Sequence, residues 1–149
     1  MRIRLKRSDY LRILEHARSG LPDEVCGLIA GRIEEDMHYV EKVYLLDNPD
    51  ACPEHFSIDP RAQLEAIRDM RSLGLVPLGN FHSHPSTPAR PSDEDIKLAY
   101  DPSANYCILS LAGDEPALKC FRIERATRTT RETDVEIVEY APLPRAFQN

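Results

Sequence analysis

Seven residues, Val25-Cys26-Gly27-Leu28-Ile29-Ala30-Gly31, make a short apolar run bounded by turn residues. Such a run suits a central strand buried on both faces rather than one that alternates between core and water. A strand of that kind needs cover on each side, so the rest of the chain must supply helices. It does. Leu11, Leu14 and Ala17 recur at helical spacing after a helix start at Ser8-Asp9, and Gly20 with Pro22 marks the stop. Asp59-Pro60 offers a capping carboxylate followed by a residue suited to the first turn. Leu64, Ile67, Met70 and Arg71 carry that helix to Gly74. A third helix is predicted from Ser92 to near Asp101-Pro102.

Between these segments lie further strands. Ile3 and Leu5 alternate with basic residues, as in a short edge strand. Strands are predicted over Tyr39 to Leu46 after the charged turn Glu34-Glu35-Asp36, over Val76 to Phe81 with Pro77 near its start, and over Val135 to Tyr140. Tyr106 to Leu111 and Leu118 to Ile123 are joined by Gly113-Asp114-Glu115-Pro116, a hairpin signature. Short connections require antiparallel pairs, so the sheet must be mixed. The expected fold class is α/β, one domain over residues 1–140 with a mixed β-sheet flanked by helices, and a loosely ordered tail over 141–149.

The composition sets limits on function. A net charge of -6 argues against a dedicated nucleic-acid binder, which needs a basic surface. No apolar run approaches a membrane span, and the basic start Met1-Arg2-Ile3-Arg4-Leu5-Lys6 has no apolar stretch behind it, so a cytoplasmic location is expected. Cys26, Cys52, Cys107 and Cys120 form no CxxC pair, which leaves free, mostly buried thiols as the default. Arg122, Arg125, Arg128 and Arg131 make a basic segment, read as a solvated hairpin.

The chemistry concentrates in Phe81-His82-Ser83-His84-Pro85, followed by Pro88, Pro91, Ser92 and Asp95. Side chains at i and i+2 on a strand share a face, so His82 and His84 project together as a pair of potential metal ligands. The prolines stiffen the loop that brings the chain back. Asp95 falls on the first turn of the next helix and could complete a His/His/Asp set with an open fourth position. Ser92 and Asp95 also suit a helix N-terminus, and both roles can hold together. Glu24 is a candidate proton shuttle, or a solvated turn glutamate. Cys26 is read as a small buried strand residue rather than a nucleophile. Cys52 and His55, in the polar loop 47–57, are weak candidates for a second metal site, and the loop is a better candidate for contacting substrate.

Glu24-Val25-Cys26-Gly27-Leu28-Ile29, with His82-Ser83-His84-Pro85, Pro91-Ser92 and Asp95, resembles the JAMM/MPN+ zinc metalloprotease family. That motif is an upstream Glu, then H-[ST]-H-P, with seven residues (the Pro among them) between the second His and a Ser, then two residues and an Asp, and every position matches. The resemblance extends to Phe56-Ser57-Ile58-Asp59-Pro60 and Tyr106-Cys107-Ile108-Leu109-Ser110-Leu111, and covers about residues 2–125 as an order of elements. It implies an MPN (cytidine-deaminase-like) fold, Zn2+ held by His82, His84 and Asp95, Glu24 as general base and acid, and Ser92 supporting the oxyanion. The chain lacks a long insertion and so resembles the prokaryotic group. The implied substrate is a ubiquitin-like sulfur carrier with an extended C-terminal tail, presented along a strand edge. A noncatalytic MPN scaffold is the main rival, but such relatives lose metal ligands that this chain keeps. A zinc deaminase would carry HxE and a PCxxC pair, which are absent here.

Overall fold

A computed structural model describes residues 1–139. The elements run β1 (Arg2–Lys6), α1 (Arg7–Ser19), β2 (Cys26–Glu34), β3 (Met37–Leu46), α2 (Pro60–Ser72), β4 (Val76–His84), α3 (Asp93–Lys97), β5 (Asn105–Ser110), β6 (Ala117–Glu124) and β7 (Thr129–Val138). The strands close into a barrel in the order β1-β3-β2-β4-β5-β6-β7. Pairing is mixed as expected: β1 is parallel to β3 and β7, β4 is parallel to β5, and the remaining neighbours are antiparallel. The predicted tail and the residue Tyr140 lie outside the described residues. Among those described, no helix is long and apolar enough to cross a membrane.

The apolar run after Glu24 is buried on both faces, and alternation explains how. Ile29 enters a core built from α1 (Ile13, Leu14, Ala17) and the strand residues Leu5, Val43, Phe81 and Leu109. Its neighbours Leu28 and Ala30 point the other way, against Ala66 and Met70 of α2. A third cluster, with Ala89 and Ala99, covers Ile108, Phe121 and Ile123 of β5 and β6. Each face of the sheet therefore has its own apolar cover, as a barrel strand with period-two side chains requires.

Several expectations are corrected. β1 is not an edge strand, because it is paired on both sides. Its basic residues are not simply solvated: Arg2 and Arg4 pair with Glu136 of β7 at 2.8 and 3.0 Å. Of the residues expected to carry α2, Met70 is buried as expected, but Leu64 is 49% exposed and Ala66 is buried beside Met70. Helix α3 ends at Lys97 rather than near Asp101, and β7 begins at Thr129, six residues earlier than Val135. Cys107 and Cys120, directly opposite on β5 and β6, are joined as a disulfide, leaving Cys26 and Cys52 free. In the basic hairpin, Arg128 pairs with Asp93, and the Arg125 guanidinium lies 4.5 Å from the Tyr100 ring centre. These two arginines tie the hairpin to the α3 region. The Asp59–Pro60 helix start behaves as expected, with the Asp59 carboxylate accepting from the Arg61 N–H.

Candidate active site

The site forms where β2 begins and β4 ends. These strands are antiparallel neighbours with Cys26 opposite His82, so Glu24, just before β2, comes alongside the two histidines. Ser83, between the histidines, locks this register. Its hydroxyl accepts from the Val25 N–H at 2.8 Å, and its own N–H donates to the Val25 carbonyl at 3.0 Å. The sequence reading assigned no task to Ser83. The H-S-H alternation places Ser83 on the face opposite the two ligands, but its partner, Val25, lies on a distant segment.

His82 and His84 are both buried, and their Nε2 atoms are 3.1 Å apart. The loop after His84 folds back on itself. Pro88 offers its carbonyl to His84 Nδ1 at 2.9 Å, and Ser110 donates to the Thr87 carbonyl at 2.6 Å. The loop then delivers α3, whose first turn is a reciprocal cap. Ser92 Oγ accepts from the Asp95 N–H, and Asp95 Oδ2 accepts from the Ser92 N–H, at 3.0 and 2.9 Å. The same Oδ2 lies 3.2 Å from His82 Nε2 and 3.1 Å from His84 Nε2. Capping and convergence are thus one geometry.

These three donor atoms fit a tetrahedral cation. Bonds of about 2.0–2.2 Å in a tetrahedron place ligand atoms about 3.3–3.6 Å apart, close to the observed 3.1–3.2 Å edges. The bond from His84 Nδ1 to Pro88 directs the Nε2 lone pair toward the centre of the triangle. The set has the nitrogen and oxygen character suited to zinc. Without a cation, two imidazoles and a carboxylate must share protons. Burial pushes the Asp95 carboxyl up, yet hydrogen bonds from His82 and His84 outweigh it and hold Asp95 far below the usual carboxylate range. Burial likewise opposes charge on His84, and Asp95 with the Pro88 carbonyl reverses this and raises its pKa.

Glu24 is 6% exposed, not a solvated turn residue. Burial pushes its carboxyl up to about 8, with His84 opposing and Asp95, Glu94 and Glu54 adding to the rise. Cys26 is fully buried, its thiol facing the carbonyls of Asp47 and Ser57. Cys52 and His55 do not assemble a second metal group among the described residues. His55 instead bridges Asp50, at 2.7 Å, and Glu94. Beside the histidines opens a cleft of about 400 Å³, walled by Phe56, Leu98, Tyr100 and Ile123 with Asn80 and His82 among its lining. Phe56 stacks on His82 with ring centres 4.6 Å apart and planes 21° from parallel. An isolated aromatic in an otherwise polar loop was the available signal for that contact.

Residues 6–124 match the family of prokaryotic homologues of the JAB domain. The CysO-cysteine peptidase of Mycobacterium tuberculosis is 34% identical over 128 residues, 85% of each chain. Among solved structures, protein DSY2949 from Desulfitobacterium hafniense is 50% identical with a TM-score of 0.85, covering 93% of this chain and 94% of that one. A structure described as JAMM, a metalloprotease-like zinc site in the proteasome and signalosome, is 25% identical with a TM-score of 0.58, covering 93% of this chain and all of the other. The chain belongs to the JAMM/MPN+ family, in its prokaryotic JAB branch. Its named relatives are peptidases.

Proposed function

We propose that this protein is a zinc metallopeptidase that hydrolyses a peptide or isopeptide bond at the C-terminus of a ubiquitin-like sulfur carrier. The observation that carries the reading is the convergence of His82, His84 and Asp95 within 4.8 Å of one another, beside a buried Glu24. His82, His84 and Asp95 would hold the zinc. When bound, zinc supplies Lewis-acid polarisation and makes water nucleophilic near neutral pH. Glu24 takes the proton from the attacking water and gives it to the departing amine, a transfer suited to a carboxyl raised toward neutral pH. Ser92 Oγ spends an acceptor position on the Asp95 N–H, which leaves its own hydrogen to donate to the oxyanion.

The substrate assignment rests on the likeness to a CysO-cysteine peptidase and on the cleft. Between Gly79 and His82 β4 is paired on both sides, with β2 and with β5, so that part of the strand has no free edge for the tail to extend. The tail lies instead in the cleft that ends at His82. The test is hydrolysis of a sulfur carrier extended beyond its C-terminal glycines, wild type against Glu24→Gln. The expected result is a loss of about 10²–10⁴ in rate with zinc content unchanged. An unaltered rate in Glu24→Gln would sink the mechanism, and an active enzyme indifferent to sulfur carriers would sink the substrate.

A further inference from the structure

The two metal-facing histidines are held differently. His84 follows the usual pattern, its second ring nitrogen bonded to a backbone carbonyl. His82 does not: its Nδ1 is buried and has no hydrogen-bond partner among the described residues. Ring orientation at His82 must come from packing, and the group in place is the stacked Phe56 ring at 4.6 Å. Phe56 sits in loop 47–57, which has no helix or strand of its own to fix it.

Asn48 supplies the fixing. Its side-chain nitrogen donates to the carbonyls of His55 and Glu24 at 2.9 and 3.0 Å. Its side-chain oxygen accepts from the N–H groups of Asp50 and Ser57 at 3.1 and 3.2 Å. Two carbonyls face the nitrogen and two N–H groups face the oxygen, so the partners determine the amide orientation and use it to capacity. Two of these bonds bracket Phe56, at residues 55 and 57. A third reaches the backbone of Glu24, whose N–H also donates to the Cys52 carbonyl at 2.9 Å. One side chain therefore joins the backbone of Glu24 to the aromatic ring that lies on His82.

We propose that Phe56 and Asn48 are positioning residues of the metal site: Phe56 sets the plane of the ligand His82 by stacking where no hydrogen bond does so, and Asn48 holds Phe56 and Glu24 in one frame. This rests on the zinc-peptidase reading given above. Phe56→Leu keeps an apolar side chain without the ring, and Phe56→Tyr keeps the ring. Asn48→Asp keeps the shape and the acceptor and loses both donors. The measurement is zinc affinity by competition with a chromogenic chelator, beside the melting temperature of each metal-free protein and kcat and KM on a C-terminally extended sulfur carrier. Phe56→Leu is expected to weaken zinc binding about 10–100-fold, the usual effect of losing an outer partner of a ligand. Phe56→Tyr restores it. Asn48→Asp weakens zinc and lowers kcat more than it raises KM. Wild-type zinc affinity in Phe56→Leu, with the change confined to KM, overturns the inference and leaves Phe56 a cleft wall. If Phe56→Leu does not fold, Asn48→Asp with wild-type zinc affinity and kcat overturns it equally. A wild type that binds no zinc overturns the metal reading first and this inference with it.

Discussion

Glu24 and Cys26 stand two positions apart, and burial acts on both with opposite chemical results. For Glu24 it raises a carboxyl to about 8, where it can hold and release a proton near neutral pH. For Cys26 it raises a thiol to about 12, with the charges of Asp47 and Glu24 adding, so the nucleophilic thiolate is suppressed. Iodoacetamide on the native protein at neutral pH should therefore modify Cys52 and leave Cys26 untouched, as read by peptide mass mapping. Rapid labelling of Cys26 would contradict its burial. Ser92 carries two tasks that a single substitution separates. Ser92→Ala should cost about 1 kcal/mol through the lost cap and about 10²–10³ in kcat through the lost oxyanion donor. If melting shifts and turnover does not, Ser92 is a cap alone. The residues of the candidate site were legible because their types and spacings form one compound pattern. The roles of Ser83, Asn48 and Phe56 were not, because each depends on a contact with another segment: Ser83 meets Val25, Asn48 reaches Glu24 besides its own loop, and Phe56 lies on His82.

At the scale of elements, the β2–β4 pairing decides where the site sits. Its register shifts between Ile29 and Ala30, opposite Gly79 and Pro77. Gly79 has φ of +149°, and a Cβ there would lie 2.0 Å from the Asn105 carbonyl oxygen. Gly79→Ala should thus lose more than about 1–3 kcal/mol, the usual cost of holding a side chain in such a backbone conformation, as measured by urea unfolding. A change within experimental error would mean that the strand can shift its register without harm. Two of the three helix starts were readable because capping is local chemistry, whereas α1 starts at Arg7 with no side-chain cap rather than at Ser8-Asp9. The Asp59 and Ser92 caps both form. Helix ends were less so. Beyond Lys97 the chain leaves α3 to bury Ala99 against Ile108 and Ile123, while Leu98 and Tyr100 remain exposed. That choice is made by tertiary packing, which outweighs helix propensity.

For the whole molecule, barrel closure was the least legible feature. It joins Arg2–Lys6 to Asp134–Val138, and nothing near either segment encodes the other. Alternating basic residues suggested an edge strand, when in fact Glu136 across the closure pairs with both arginines. The disulfide of β5 and β6 depends in the same way on a register that spacing alone does not reveal. Closure also surrounds His38, which is 5% exposed. Asn105 Nδ2 lies 3.0 Å from its Nδ1, and an Arg122 guanidinium nitrogen lies 3.4 Å from its Nε2. Burial first, then the Arg122 charge, lowers its pKa below 6.5. The unfolded chain therefore binds this proton before the folded one. Stability from neutral His38 is complete above pH 6.5 and drains as pH falls through the lower folded value. Urea unfolding at about pH 7.5 and about pH 5.5 should show a larger loss for wild type than for His38→Asn. Equal losses would remove His38 from the account of acid sensitivity.

All of this organisation brings three donor atoms and one carboxyl together, so the most direct test is metal content. Zinc bound per chain should be counted by elemental mass spectrometry for wild type and for Asp95→Ala, with circular dichroism confirming that both are folded. The expected result is about one zinc per wild-type chain, as three protein ligands with an open position require, and little in Asp95→Ala. A folded wild type free of zinc, or an Asp95→Ala protein that retains it, would contradict the assignment of His82, His84 and Asp95 as the metal ligands.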